Sequence, residues 1–103
     1  MADSLLFVVR QPPGRGAGWR ETIDMALTGA AFGVDTLMWL EATPLKVLAR
    51  RADHGQLLAE LSGFGIRCVA RQEDLPAGLP GIEGLDSAAL HTLRRHASQM
   101  VIL

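Results

Sequence analysis

The 103 residues include a single cysteine, Cys68. An intrachain disulfide framework is therefore excluded, in agreement with a reducing cytoplasm. Charge of one sign is lacking too: ten Lys and Arg stand against eleven Asp and Glu, a formal net charge of −1. A chain so balanced carries no electrostatic footprint for nucleic acid or an anionic membrane. No apolar run approaches the roughly 18 residues of a membrane span. Met1-Ala2-Asp3-Ser4 has no basic n-region, so Leu5 to Val9 reads as a strand and not as a signal peptide. Internal repeats, linkers and low-complexity segments are also missing.

What is there suits one ordinary globular domain, residues 1–103, with 49% hydrophobic and 20% charged residues. Leu5-Leu6-Phe7-Val8-Val9 is a continuous apolar run, as expected of a strand buried on both faces. After the Pro12-Pro13-Gly14 stop and a glycine loop, Trp19 to Phe32 has helical spacing, with Ile23, Ala26, Leu27, Ala30 and Ala31 on one face and Gly33 as its stop. Thr36 to Leu40 is a second strand. Thr43 is expected to cap a helix with Pro44 at its first position, running to about Arg51. Asp53-His54-Gly55 interrupts, and Gln56 to Ser62 is a further helical piece. The Cys68 strand follows Gly63 and Gly65. A proline- and glycine-rich segment then leads to a very short strand at Ile82, a helix from Ser87 to about Ala97 capped by Asp86, and a last strand, Met100 to Leu103. Strands that alternate with helices predict an α/β fold: a small, flavodoxin-like, three-layer structure with a mostly parallel sheet of four to five strands. Small domains bury their surface poorly when alone, so self-association is expected.

Cys68 is the strongest candidate for chemistry. It lies in Gly65-Ile66-Arg67-Cys68-Val69-Ala70-Arg71. If it stands near the carboxyl end of its strand, it occupies the place where open α/β sheets bind ligands. Positive charge nearby favours the reactive thiolate. Strand alternation turns Arg67 to the face opposite Cys68, which leaves Arg71 as the expected charge-stabilising residue. The competing reading is structural, since a free cysteine behaves as a small, buried hydrophobe.

Three segments resemble the DsrE/DsrF-like family, which includes the TusB, TusC and TusD subunits of a sulfur-relay complex. They are the first strand with its Gly-containing loop and alanine-rich helix, the middle stretch Gly63-Phe64-Gly65-Ile66-Arg67-Cys68-Val69-Ala70, and the closing Gly84-Leu85-Asp86-Ser87 helix with its terminal strand Ser98 to Leu103. The resemblance implies a flavodoxin-like domain that assembles as a trimer or hexamer, or with related subunits. It also implies that Cys68 accepts sulfane sulfur from a donor protein and passes it to an acceptor thiol, a sulfurtransferase role that needs no cofactor. The family also contains structural subunits, and the alternative is a noncatalytic, oligomer-forming or interaction subunit. After Cys68 the chain departs from the family's carriers: Arg71-Gln72-Glu73-Asp74-Leu75-Pro76 is charged and broken by proline.

Other groups could carry chemistry. An anion-binding loop would use Gly14, Arg15, Gly16, Gly18 and Arg20, between a strand and a helix. It has no Lys-Ser/Thr of a Walker loop and does not fit G-x-G-x-x-G. His91 and His96 are five apart on a helix and His54 is placed in a turn, so no metal site is expected. Glu41 after the second strand and Asp35 before it are acid–base candidates without an evident partner. Trp39 is assigned to core or interface, and Trp19 to contact with another subunit.

Overall fold

The computed structural model describes residues 4–14, 18–76 and 79–103. Their elements are β1 (Ser4–Val9), α1 (Gly18–Ala31), β2 (Asp35–Leu40), α2 (Ala42–Ala49), α3 (His54–Gly63), β3 (Arg67–Arg71), a 3-10 turn (Gln72–Asp74), β4 (Ile82–Leu85), α4 (Ser87–His96) and β5 (Gln99–Ile102). The strands form one sheet in the order β4-β3-β2-β1-β5, with every neighbouring pair parallel. The expected flavodoxin-like, three-layer α/β architecture is what forms. No helix of the described residues is long and apolar enough to cross a membrane.

Strand alternation divides the core in two. Phe7, Val9, Met38, Leu40, Cys68 and Ala70 face α1, α2 and α3, where Trp19, Ile23, Leu45, Leu48 and Leu61 complete a large buried cluster. Leu6, Val8, Leu37, Trp39 and Val69 face the other way, where Leu90 of α4 is the buried helical partner. Trp19 thus belongs to the interior and not to a subunit contact, because the first turn of α1 lies directly on the sheet.

Helices α1 and α3 end alike. Gly33 and Gly65 have φ of 80° and 78°, the left-handed region that costs glycine nothing. The next amide in each case reaches back into the last turn: Val34 N–H donates to Gly29 O at 3.2 Å and Ile66 N–H to Leu61 O at 3.0 Å. Each glycine then redirects the chain into a strand. At α2 the cap differs from expectation. Glu41, with extended backbone, is the N-cap residue, and its carbonyl accepts from Leu45 N–H at 3.0 Å. Thr43 and Pro44 lie inside the first turn, where a missing proline N–H leaves no helical bond unmade. His54 opens α3 instead of standing in a turn, its ring Nδ1 2.7 Å from Arg51 O. Asp86 does cap α4 as expected: its carboxylate accepts from Ala89 N–H at 2.8 Å.

Candidate functional site

Cys68 is the second residue of β3, paired laterally with Met38 of β2 and Ile82 of β4. It therefore sits near the amino end of its strand, not at the carboxyl end. The chain leaves α3 through Gly65 and begins to pair with β2 at Arg67, one residue before the cysteine. The residue is 5% exposed. Burial pushes its thiol up from the ordinary 9.0 to about 12, because an apolar surrounding penalises the thiolate. Cys68 itself lines an open groove of about 360 Å³, together with Ser62, Ile66, Arg67, Gly81 and Glu83.

The structure does not bring Arg71 to Cys68. Arg71 ends β3 on the opposite face, three residues along, and points toward Glu73 at 3.8 Å. Arg67 is bound to Glu83 at 2.7 Å across that same opposite face. Neither guanidinium is a neighbour of the sulfur by strand geometry, and desolvation alone accounts for the direction of its shift.

The carboxyl edge of the sheet gathers a different set. Because the strands are parallel and in register, the residues at the ends of β1, β2 and β3 come together there. Arg10 follows β1, Glu41 follows β2, and the two lie 3.5 Å apart. Trp39 and Glu41 line two adjoining clefts. The one shared with Ala42, Arg71 and Asp74 is about 240 Å³, and the one shared with Arg10, Arg94, Met100 and Ile102 is about 230 Å³. The sequence offers Glu41 as an acid–base candidate at this edge, but it suggests Arg71 only as a partner for Cys68 and gives no sign of Arg10, Asp74 or Arg94. For Arg10 the available signal was its place straight after an apolar run, since parallel strands deliver such residues to one edge; Asp74 in the 3-10 turn and Arg94 on α4 carry no such mark.

The glycine loop is accounted for in part. Arg15 and Gly16 lie outside the described residues. Arg20 is committed within the protein: it donates to Glu60 at 2.8 and 2.9 Å and to Asp24 at 2.8 and 3.0 Å. Such bidentate pairing ties α1 to α3 and occupies the guanidinium fork. Gly14 is exposed, and Gly18 packs on Pro13, where an added Cβ would meet the proline carbonyl carbon at 3.0 Å. His91 and His96 are exposed, and among the described residues no group of three His, Cys, Asp or Glu is gathered to hold a metal.

No family model matches the chain, and no curated protein matches its sequence. Solved structures do match its shape. The crystal structure of the ychN protein from E. coli superposes with a TM-score of 0.76, covering 98% of this chain and 99% of its own at 13% identity. A conserved protein of unknown function from Bacteroides thetaiotaomicron gives a TM-score of 0.75 over 97% and 95%, at 15% identity. This chain shares their fold. At such identities the likeness carries the architecture and leaves the chemistry to the residues described above.

Proposed function

We propose that the protein is a noncatalytic, oligomer-forming subunit of the DsrE-like type, with Cys68 as a structural cysteine. The burial of Cys68 supports this reading most directly. A thiol pushed up to about 12 is almost wholly protonated at neutral pH, and the protonated form does not attack sulfur. Its place in the lateral row between Met38 and Ile82 is that of a small apolar side chain. The fold shared end to end with the two solved structures supports the family resemblance at the level of architecture. A single, protonated cysteine also suits a reducing cytoplasm. The test is the rate at which a thiol reagent labels Cys68. Labelling is expected to be slow in the native protein and fast in denaturant. Equal rates in the two states overturn the structural role.

The groove beside Cys68 favours a second reading, transfer of sulfane sulfur. In that reading the Cys68 thiolate attacks the outer sulfur of a donor protein's persulfide. A Cys68–S–SH bond forms, the donor's S–S bond breaks, and the donor leaves as a thiolate. An acceptor thiolate later takes the same sulfur and returns Cys68 to its starting state. Intact mass after incubation with a persulfide donor tests it. A gain of one sulfur on the wild type, absent from Cys68→Ser, is required. No gain on the wild type eliminates the role.

A further inference from the structure

The two edges of the sheet are finished differently. On β4, Glu83 carries a charge paired with Arg67. Charge is a usual means of keeping a strand edge from pairing with another chain. The other edge, β5, carries none. Its residues Gln99-Met100-Val101-Ile102 include no charge and no proline.

The register fixes what that edge presents. Leu103 N–H donates to Val8 O at 2.9 Å, and Arg10 N–H donates to Leu103 O at 3.2 Å. Leu103 therefore turns its backbone groups toward β1, and by alternation Val101 and Gln99 do the same. The N–H and C=O groups of Met100 and Ile102 point outward along the open edge. Their side chains lie on the α4 face, in line with Leu6 and Val8 of β1. There they are 38% and 50% exposed, while Leu6 and Val8 are buried. An unpaired backbone edge and an apolar strip thus coincide on the same two residues.

We infer that β5 pairs antiparallel with β5 of a second copy of this chain, about a two-fold axis through Val101. The pairing places Met100 of one copy opposite Ile102 of the other, and the reverse. Each opposed pair exchanges two main-chain bonds, about four in all. Directly opposed residues share a face, so Met100 and Ile102 of both copies form one apolar floor between the two α4 helices. A second copy is the occupant because the motif is self-complementary: residues on either side of Val101 supply the same donors, acceptors and apolar bulk, as an isologous contact requires. No charge on β5 itself selects a partner of opposite sign; of the charged groups that share a cleft with Met100 and Ile102, Arg10 is paired with Glu41 at 3.5 Å and Arg94 belongs to α4. The inference rests on the oligomer-forming reading above and adds to it the surface and its symmetry. A two-fold contact closes as a dimer by itself and supplies one of the interfaces of a hexamer.

The experiment is sedimentation at micromolar concentration on the wild type, Ile102→Lys and Met100→Pro. The proline removes an outward N–H that the sheet does not use, a position where edge strands accept proline. The wild type is expected to self-associate, and each variant to weaken association about 100-fold or more while keeping its circular dichroism. A monomeric wild type overturns the inference, as does an oligomer that both variants leave intact. In the latter case the oligomer-forming reading stands and the surface assignment falls. Should both variants unfold, hydrogen exchange on the wild type decides. Met100 and Ile102 amides protected at high concentration and exchanging on dilution support the pairing; free exchange at all concentrations refutes it. Labelling of Cys68 is read separately, so failure of the structural-cysteine proposal is told apart from failure of this one.

Discussion

Among the described residues, one face of the sheet is covered by three helices and the other by one. Under α1, α2 and α3, the row Ile82, Cys68, Met38, Phe7, Val101 crosses all five strands, and its three central residues are buried. Under α4, the parallel row runs Glu83, Val69, Trp39, Val8, Ile102. Its centre is buried, but it begins in a charged residue and ends in an exposed apolar one. A single helix is about 10 Å across, while five strands at about 4.8 Å spacing are roughly twice as wide. The flanks of the α4 face must therefore be finished by other means. Toward β4 the Arg67–Glu83 pair does it; toward β5 nothing among the described residues does. The difference teaches that coverage, not composition, decides where this protein has surface to offer.

Core truncations make the sharpest test of that contrast. Leu48 and Leu90 are each 2% exposed, so Leu48→Ala and Leu90→Ala should each cost about 2–5 kcal/mol. The effects should differ in reach. Leu48 sits in a large cluster, and its loss should lower the global unfolding free energy. Leu90 is the buried anchor of α4, with Leu93 and Ala97 only partly covered, so its loss should also make the α4 amides exchange by local opening. Amides of α4 that keep pace with those of α1 in Leu90→Ala would erase the distinction between the faces.

Much of this plan was legible beforehand. Apolar runs gave the strands, Gly33 and Gly65 gave the helix ends, and Asp86 gave the cap, because each rests on local chemistry. Two features were not local. Cys68 was expected toward the carboxyl end of its strand, yet where a short strand begins is set by pairing with Met38 and Ile82, which spacing along the chain does not reveal. The clefts around Trp39 and Glu41 arise because parallel strands end together: Arg71 reaches one, Arg10 the other, and Arg94 joins Arg10 from α4. Trp19 shows the same limit: a tryptophan beside a glycine loop looks like surface until the helix is laid on the sheet.

The second prediction probes the three-helix face through its thiol. The folded pKa of Cys68 is raised, so native protein holds a proton that the unfolded chain has released between about pH 9 and pH 12. Stability from this group is complete below pH 9 and falls as pH climbs through that window, at a limiting slope of about 1.4 kcal/mol per pH unit. Denaturant melts of the wild type and Cys68→Ala between pH 8 and pH 11 isolate it, since other titrating groups are common to both. The gap between them should shift steadily in favour of the variant above pH 9. Parallel curves would mean the thiol is open to water, and the buried row would lose its central claim.

The third prediction concerns the lone helix. Asp86→Ala removes the carboxylate that accepts from Ala89 N–H and should cost about 1 kcal/mol. Because α4 has no helical neighbour on its face among the described residues, the loss should appear first as faster exchange in its opening turn. An unchanged melt with unchanged exchange would show that packing of Leu90 alone holds the helix.

The smallest effect is expected where α2 meets α3, on the well-covered face. Arg51 donates to Asp53 at 2.8 and 3.0 Å, and that hydrogen bond is the main reason the Asp53 carboxyl is held below its ordinary value. A lowered folded pKa means that the contribution is present above the unfolded value of 3.8 and fades as pH falls through the folded one. Arg51→Ala should let the carboxyl titrate upward, and the difference in stability between variant and wild type should close in acid. Both side chains are solvated, so the change in melting at neutral pH should be slight. An NMR titration of the Asp53 carboxyl reads the local effect. If that carboxyl stays depressed in Arg51→Ala, the α2–α3 junction is pinned by something other than this pair, and the covered face owes its order there to packing alone.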